Sequence, residues 1–300
     1  MRHFSFVILH YQAVEDTIEC IESILNHIRY EEKDLVVVDN GSPDGSGKIL
    51  AERYEGNEHV HILLQRENMG FARGNNVGFQ YAKNVLHTDF IAMINNDTVI
   101  EQEDFIEGIF AYYEESPFAI LGPDIISLVD QGHQNPASVK GMDRKGAKIA
   151  LVINRICLWT SYIHADEYAF RAIKFLYAVK DKIRRRGKSK TSRKRNPEEV
   201  QENIQLHGSA LVFSPVFIER HDGLHPGTFM YLEEDILFHL MKKENLKTVY
   251  YPKIRIYHKE DSSTKNSFSS SIDRRRFKYR HHIDSLHVYL KIMESKNVEY

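Results

Sequence analysis

Phe90-Ile91-Ala92-Met93-Ile94-Asn95-Asn96-Asp97-Thr98 is the stretch on which the reading of this 300-residue chain turns. Its five leading apolar residues are too few for a buried helix and suit a strand covered on both faces, which delivers Asn95, Asn96 and Asp97 at the carboxyl end. In an open α/β sheet that end is where ligands bind. A carboxylate flanked by two amides can hold a divalent cation through oxygen, and Mg²⁺ or Mn²⁺ typically takes one or two protein carboxylates plus substrate phosphates. Taken alone, the triplet is read more simply as a turn after a strand. Its neighbours reverse that balance.

Upstream, apolar runs alternate with helical patterns. Phe4 to Leu9 reads as a strand, and Ile18, Ile21, Leu25 and Ile28 share one face of a helix capped by Asp16 or Thr17. Leu35 to Val38 is a second strand, followed by the loop Asp39-Asn40-Gly41-Ser42-Pro43-Asp44-Gly45-Ser46 and a helix near Lys48 to Tyr54. Val60 to Leu64 is a third, followed by Asn68 to Gly78 and a helix to about Val85. Strand and helix in this rhythm imply right-handed crossovers and a mainly parallel sheet, so every strand ends in a polar loop on one edge.

Those loops share a chemistry. Asp39, ending its strand, suits hydrogen bonds to a ribose or a base edge, and equally suits an Asx turn. Glycines at 70, 74 and 78 let backbone N–H groups approach an anion at a helix N-terminus, or allow close helix packing. No Gly-Lys-Ser/Thr follows and the spacing is not Gly-x-Gly-x-x-Gly, so neither a Walker loop nor a Rossmann fingerprint is present. The expected ligand is a nucleotide diphosphate with a metal, held without either device.

Composition narrows the class. A chain with 42% hydrophobic and 27% charged residues has the make-up of a globular protein able to bury a large core. Its two cysteines, Cys20 and Cys157, support neither a disulfide framework nor a thiolate metal site, which points to a reducing compartment. The N-terminal apolar run is too short for a signal segment, and no stretch of eighteen apolar residues occurs, so a cytoplasmic location is expected. The net charge of −2 hides an asymmetry, because residues 171–195 hold twelve Lys/Arg against Asp181 alone. There, Ala169, Ile173, Leu176, Tyr177 and Ile183 give an amphipathic helix over Tyr168 to Arg186, followed by the basic run Lys188 to Arg195. Such a segment suits the inner face of an anionic membrane or a solvated insertion. No stacking pattern or motif accompanies the charges, so nucleic acid is not expected as a partner.

The chain resembles the family 2 glycosyltransferases with the GT-A fold, particularly the rhamnosyltransferase-like branch of bacterial surface-polysaccharide synthesis. Four features carry the resemblance: Val7-Ile8-Leu9-His10-Tyr11 before a helix containing Cys20; Val37-Val38-Asp39-Asn40-Gly41-Ser42-x-Asp44; Asn68-x-Gly70-Phe71-Ala72-x-Gly74-Asn75-Asn76-x-Gly78; and Asn95-Asn96-Asp97. They cover the first third, with weaker matches to about residue 263. The resemblance implies a single mixed, mainly parallel sheet flanked by helices. The expected GT-A domain spans 1–265, with a nucleotide-binding half over 1–100, an acceptor half over 101–265 containing a basic insertion at about 140–203, and a helical C-terminal extension over 266–300. It further implies that Asp39 contacts the nucleoside and that Asn68, Gly70, Arg73, Gly74 and Asn75 line the nucleotide-sugar pocket together with Asn96. Asp97 takes the last position of the metal-binding Asp-x-Asp, with Mn²⁺ or Mg²⁺ as cofactor, while Asn95 replaces the first Asp.

The rest of the expected site lies between Gln205 and His258. Gly208 and Ser209 belong to a small-residue turn opening a strand, similar to the family segment beside the donor sugar. Glu233, Glu234 and Asp235 begin a helix ending near Lys242, and three adjacent carboxylates are costly unless one is solvated, protonated or paired. By resemblance Glu233 lies in the donor pocket and the general base is Asp235 on residue identity, or Glu234 on alignment of the following leucine. Both assignments stand at this point. His258 falls where relatives often carry a metal- or diphosphate-contacting His. After Lys265 a helix with Arg274-Arg275-Arg276 and Leu286, Tyr289, Leu290 and Met293 can pack on the domain, contact a membrane, or pair with a second subunit as a homodimer. The expected activity is inverting transfer of a hexosyl or rhamnosyl group from a dTDP-, UDP- or GDP-sugar to a hydroxyl of a glycan or lipid-linked acceptor. A non-catalytic nucleotide-sugar-binding subunit is the alternative, kept open by Asn95 and Ile236.

Overall fold

The computed structural model describes residues 1–185, 196–260 and 270–295, with side chains described outside 176–185. Alternation along the first strands decides the layers, because successive side chains of a strand point to opposite faces. In β1 (Phe4–His10), β2 (Lys33–Asp39) and β4 (Phe90–Asn95), Phe4, Phe6, Ile8, Leu35, Val37, Phe90, Ala92 and Ile94 enter one core, and Val7, Val36, Val38, Ile91 and Met93 enter the other. The first core is closed by α1 (Val14–His27), α2 (Ser46–Arg53) and α4 (Phe105–Glu115), through Cys20, Ile21, Ile24, Leu50, Phe105, Ile106 and Ile109. The second is closed mainly by α3 (Phe71–Asn84), which follows β3 (Val60–Leu64), and by helices from the second half of the chain. A strand buried on both faces must be apolar throughout, which is why Leu35 to Val38 and Phe90 to Ile94 carry no alternation.

With β5 at Thr98–Val99, β6 at Ile120–Ser127, β7 at Gln201–Glu202, β8 at Ala210–Phe213 and β9 at Thr248–His258, the sheet runs β3-β2-β1-β4-β8-β6-β9-β5, and β7 pairs with β9. The first four strands are parallel, and β8 (Ala210–Phe213) lies antiparallel between β4 and β6 (Ile120–Ser127). Register aligns the carboxyl ends, setting His10 opposite Asp39 and Leu9 opposite Asn95. The short strand β5 (Thr98–Val99) pairs Thr98 with His258, which carries the end of β9 to Asp97. The bend expected at Gly122-Pro123 is a register shift in the β6–β9 pairing between Pro123 and Asp124.

The C-terminal half contributes α5 (Arg144–Ser161), α6 (Asp166–Arg185), α7 (Pro215–Ile218), α8 (Glu233–Lys243) and α9 (Ser271–Glu294). The sequence reading left α5 unassigned. It is capped by Asp143, whose side chain accepts the Gly146 N–H at 2.7 Å. Of the three roles open to the C-terminal stretch, the fold realises packing on the domain: Leu286, Tyr289 and Ile292 are buried, and the Tyr289 hydroxyl donates to the Met142 carbonyl. At its other end Arg275 pairs with Asp166, a fully buried carboxylate that also accepts from the Tyr279 hydroxyl. The expected helix Tyr168 to Arg186 is found as α6, and the basic run Lys188 to Arg195 lies outside the described residues.

Candidate active site

The aligned strand ends open onto a cleft of about 820 Å³. Leu9, Tyr11, Asn40 and Asn95 to Asp97 come from the parallel strands, and Asn68, Gly70 and Phe71 from the start of α3. His207 to Ser209, Phe229 to Asp235 and His258 form the opposite wall, with Phe277 and His282 of α9 at its rim. The two halves are joined by backbone. The Asn95 N–H donates to the Ser209 carbonyl at 2.9 Å, and the Phe71 N–H to the Phe229 carbonyl at 2.7 Å. Gly70 makes the second junction possible: its φ is +85°, and a Cβ there would lie 2.3 Å from the Phe229 carbonyl oxygen.

Asp97 and His258 meet as β5 pairing dictates, with His258 Nε2 3.1 Å from Asp97 Oδ1. The other ring nitrogen is fixed from behind. Gln134 donates its amide Nε2 to Glu260 at 2.8 Å and so presents Oε1 to His258 Nδ1, also at 2.8 Å. That arrangement makes Nδ1 the donor, so a ring carrying a single proton turns its Nε2 lone pair toward the Asp97 oxygen. Two acceptors at that distance require a proton or a cation between them, so the pair fits a divalent ion. Among the described residues no group of three or more His, Cys, Asp or Glu is placed to hold a metal, so the remaining ligand positions would fall to diphosphate oxygens and water. Beside the pair lies His207, whose pKa is lowered to about 4 by burial and by the nearby His258, so it is neutral near pH 7 and hydrogen-bonds Ser209 Oγ at 2.9 Å.

The carboxylates of α8 are delivered by a strained turn. Tyr231 and Leu232 both have left-handed backbone, φ +74° and +71°, a conformation costing a non-glycine residue about 1–2 kcal/mol. Glu233 is buried and accepts the Thr228 hydroxyl at 2.8 Å; burial, then the charge of Glu234, push its pKa up to about 7. Glu234 is pushed up to about 7 by burial, with Asp235 adding to the rise and only its own backbone N–H opposing it. Its Oε2 would lie 3.7 Å from a Cβ at Gly208, across the cleft wall. Asp235 is raised by burial too, but Gln205 and the Met142 backbone hydrogen-bond it. A helix N-terminus favours such charges by about 0.3–1 kcal/mol. For Glu234 that is less than the roughly 3 kcal/mol corresponding to a rise from 4.5 to about 7, so desolvation wins.

The cleft gathers Asn68, Gly70, Asn96, Asp97, Gly208, Ser209, Glu233, Glu234, Asp235 and His258. Four expected residues stand outside its lining. Asp39 accepts the Ser42 N–H at 3.1 Å, and its carboxylate lies over Gly47, where no side chain has room. Arg73 Nε donates to the Pro226 carbonyl, and Asn75, buried in α3, donates to the Phe71 carbonyl. Gly74 packs on Leu9 and Asn40, as Gly78 packs on Val7, so of the three glycines only Gly70 faces the cleft.

The sequence reading also missed residues. Asn40 ties the loops together, donating to the Asn68 side chain at 3.0 Å and accepting the Met69 N–H at 3.0 Å. Asn96 donates to Thr17, which bonds His10; His10 in turn bonds Ser46, and Ser46 donates to Asp44. Burial lowers the His10 pKa against the opposing charges of Asp39 and Asp44, which suits a neutral relay of hydrogen bonds. His207 stood next to the quoted Gly208 and was within reach of sequence reasoning. Phe277 and His282 were not, since only the docking of α9 brings them to the cleft.

Residues 5–153 match the family model described as glycosyl transferase family 2. The chain is 29% identical over 111 residues to the glycosyltransferase GlyG of Streptococcus pneumoniae, covering 37% of this chain and 35% of that protein. It is 23% identical over 242 residues to the low-salt glycan biosynthesis hexosyltransferase Agl10 of Haloferax volcanii, covering 81% of this chain and 62% of that one. The chain thus spans about a third to three fifths of the length of these relatives. Among solved structures it resembles S. aureus TarS 1-349 in complex with UDP-GlcNAc, with a TM-score of 0.55, 14% identity, and coverage of 99% of this chain and 68% of that one. It also resembles GalNAc-T7 with UDP, GalNAc and Mn²⁺, with a TM-score of 0.57, 12% identity, and coverage of 88% and 45%. Residues 5–153 thus resemble glycosyl transferase family 2, on a GT-A fold that takes in the strands and helices of the chain's second half.

Proposed function

We propose that this protein is an inverting glycosyltransferase that moves a sugar from a nucleoside-diphosphate donor to an acceptor hydroxyl, with Glu234 as the general base. The observation that carries this reading is the cleft itself. A largely buried carboxylate with pKa raised to about 7 lines the same cleft as the Asp97–His258 pair, which bridges its two walls. A base poised near working pH combines a useful ionised fraction with proton affinity. Asp235, the alternative base, is already engaged by Gln205 and the Met142 backbone, which favours Glu234.

In this mechanism Asn68, Gly70 and Asn96 line the donor side, and Asp39 meets the nucleoside beyond it. Asp97 and His258 would hold a Mn²⁺ or Mg²⁺ ion that neutralises the diphosphate as leaving group. Gln134 keeps His258 in the tautomer that presents Nε2. Glu234 takes the acceptor proton as the hydroxyl attacks the anomeric carbon from the face opposite the leaving group, so one displacement inverts configuration. Glu233 and His207 exclude water and carry hydrogen bonds without a full charge near neutrality. The names of Agl10 and of the UDP-GlcNAc-bound TarS favour a UDP-hexose over a dTDP-rhamnose donor, and glycan synthesis as the setting.

Incubation with UDP-, GDP- and dTDP-sugars and Mn²⁺ in the presence of candidate glycan and lipid-linked acceptors tests the reading. Release of nucleoside diphosphate that is lost in Glu234→Gln is expected. Donor binding without release under any condition would instead favour a non-catalytic nucleotide-sugar-binding subunit, the reading to which Asn95 in place of a first carboxylate lends support.

A further inference from the structure

The α5–α6 hairpin presents an outer surface unlike the rest of the molecule. On α5, Lys145, Lys148, Val152, Ile156 and Trp159 recur at three- and four-residue spacing and so share one helical stripe, which Ile163 continues past its end. All are exposed, Trp159 at 79% and Ile163 at 74%. On α6, Tyr168 at 74% and Phe175 at 68% exposure flank Arg171 and Lys174. Between the helices lies an apolar groove of about 700 Å³ with Arg144, Lys145 and Lys148 at its border. A helix stripe facing water is normally polar, and an apolar surface of this extent marks a contact.

Charge identifies the occupant. Residues 144–175 hold six Lys/Arg, of which Arg144 is paired with Glu294 of α9, against Asp166 and Glu167. Both acids are paired with Arg275 of α9, leaving the surface positive. Exposed aromatic and aliphatic side chains interleaved with uncompensated basic ones are the pattern of an interfacial helix on anionic lipid. We propose that the α5–α6 hairpin docks this protein on an anionic membrane surface, with Trp159, Ile163, Tyr168 and Phe175 entering the interface. The proposal is independent of the catalytic assignments, but it has a geometric consequence. Helix α9 holds the hairpin through Arg275, Arg276 and Arg280, while its Phe277 and His282 line the cleft. Helix α9, about 10 Å across, thus separates the cleft from the hairpin that carries the docking surface.

Trp159 is the single tryptophan of the chain and reports on its own environment. The full chain is titrated with vesicles of phosphatidylcholine containing phosphatidylglycerol, and with pure phosphatidylcholine. A blue shift of Trp159 emission and co-sedimentation with the anionic vesicles, weakened by salt, are expected. Lys145→Glu with Lys148→Glu should weaken that binding at least about 25-fold, taking roughly fivefold per basic residue. Ile156→Ser with Ile163→Ser should weaken it as well. Lys48→Glu, on the distant helix α2, should leave it within about twofold. Because the altered residues are exposed, their thermal unfolding should match the parent. No emission shift with anionic vesicles, equal binding to pure phosphatidylcholine, unchanged affinity in both hairpin variants, or a stable dimer in which Trp159 is already shielded without lipid would each overturn the proposal.

Discussion

Replacing Glu234 by glutamine is expected to stabilise the fold at alkaline pH while removing the proposed base. In the folded chain burial raises the Glu234 pKa from 4.5 to about 7. Between those values the folded state keeps a proton that the unfolded chain has released, so stability falls as pH rises through the window and stays at the lower level above it. At about pH 8 the loss is roughly 3 kcal/mol, and at about pH 5 it is roughly 1 kcal/mol, because the unfolded carboxyl is only partly ionised there. Glutamine removes the charge and keeps the shape. The variant should therefore gain about 2 kcal/mol more over wild type at the higher pH than at the lower, a sizeable part of a domain's total stability. Glu233, whose pKa is raised by burial and then by Glu234, relaxes downward in the variant and adds to the effect. Urea denaturation of both proteins at the two pH values, without nucleotide or metal, measures the difference. An equal stability change at both pH values, or a loss at the higher one, would refute the claim that this carboxylate is held against its ordinary ionisation. Activity loss without the pH-dependent gain would separate a catalytic role from the electrostatic one.

Three further outcomes are expected. Asp97→Ala should abolish the Mn²⁺-dependent part of UDP affinity in calorimetry, because the carboxylate partner of His258 is gone; an undiminished metal effect would move the ion elsewhere. Gly70→Ala should cost at least about 2 kcal/mol in denaturation and weaken donor binding, since its φ of +85° and the Phe229 carbonyl 2.3 Å from a Cβ both oppose a side chain. Arg275→Ala leaves Asp166 with the Tyr279 hydroxyl but without its cation and should cost about 1–3 kcal/mol at neutral pH, with partial recovery on adding Asp166→Asn.

The parallel half of the fold was legible because its strands are buried on both faces and therefore apolar, as Leu35 to Val38 and Phe90 to Ile94 are. Helix α5 was not legible. Its outer stripe is apolar and its inner contacts are with α9, more than a hundred residues later, so no local periodicity reports which face is covered. The spaced glycines illustrate a second limit. All three read alike in sequence, yet only Gly70 borders the cleft, while Gly74 and Gly78 seat α3 on β1.

Sequence alone determined which chemistry gathers at the strand ends, because a carboxylate, amide or glycine closing an apolar strand has few other reasons to be there. It named Asp97, His258 and the Glu233–Asp235 run, but left the roles of the last open. Tertiary structure decided what each could do. The β5–β9 pairing carries His258 to Asp97 across 161 positions, and Gln134 fixes which ring nitrogen faces it. In the same way two left-handed residues turn Glu234 toward Gly208 while Asp235 falls to Gln205. Ligand identity is written in residue types; orientation, burial and ionisation are set by neighbours distant in the chain, and only the folded contacts specify those.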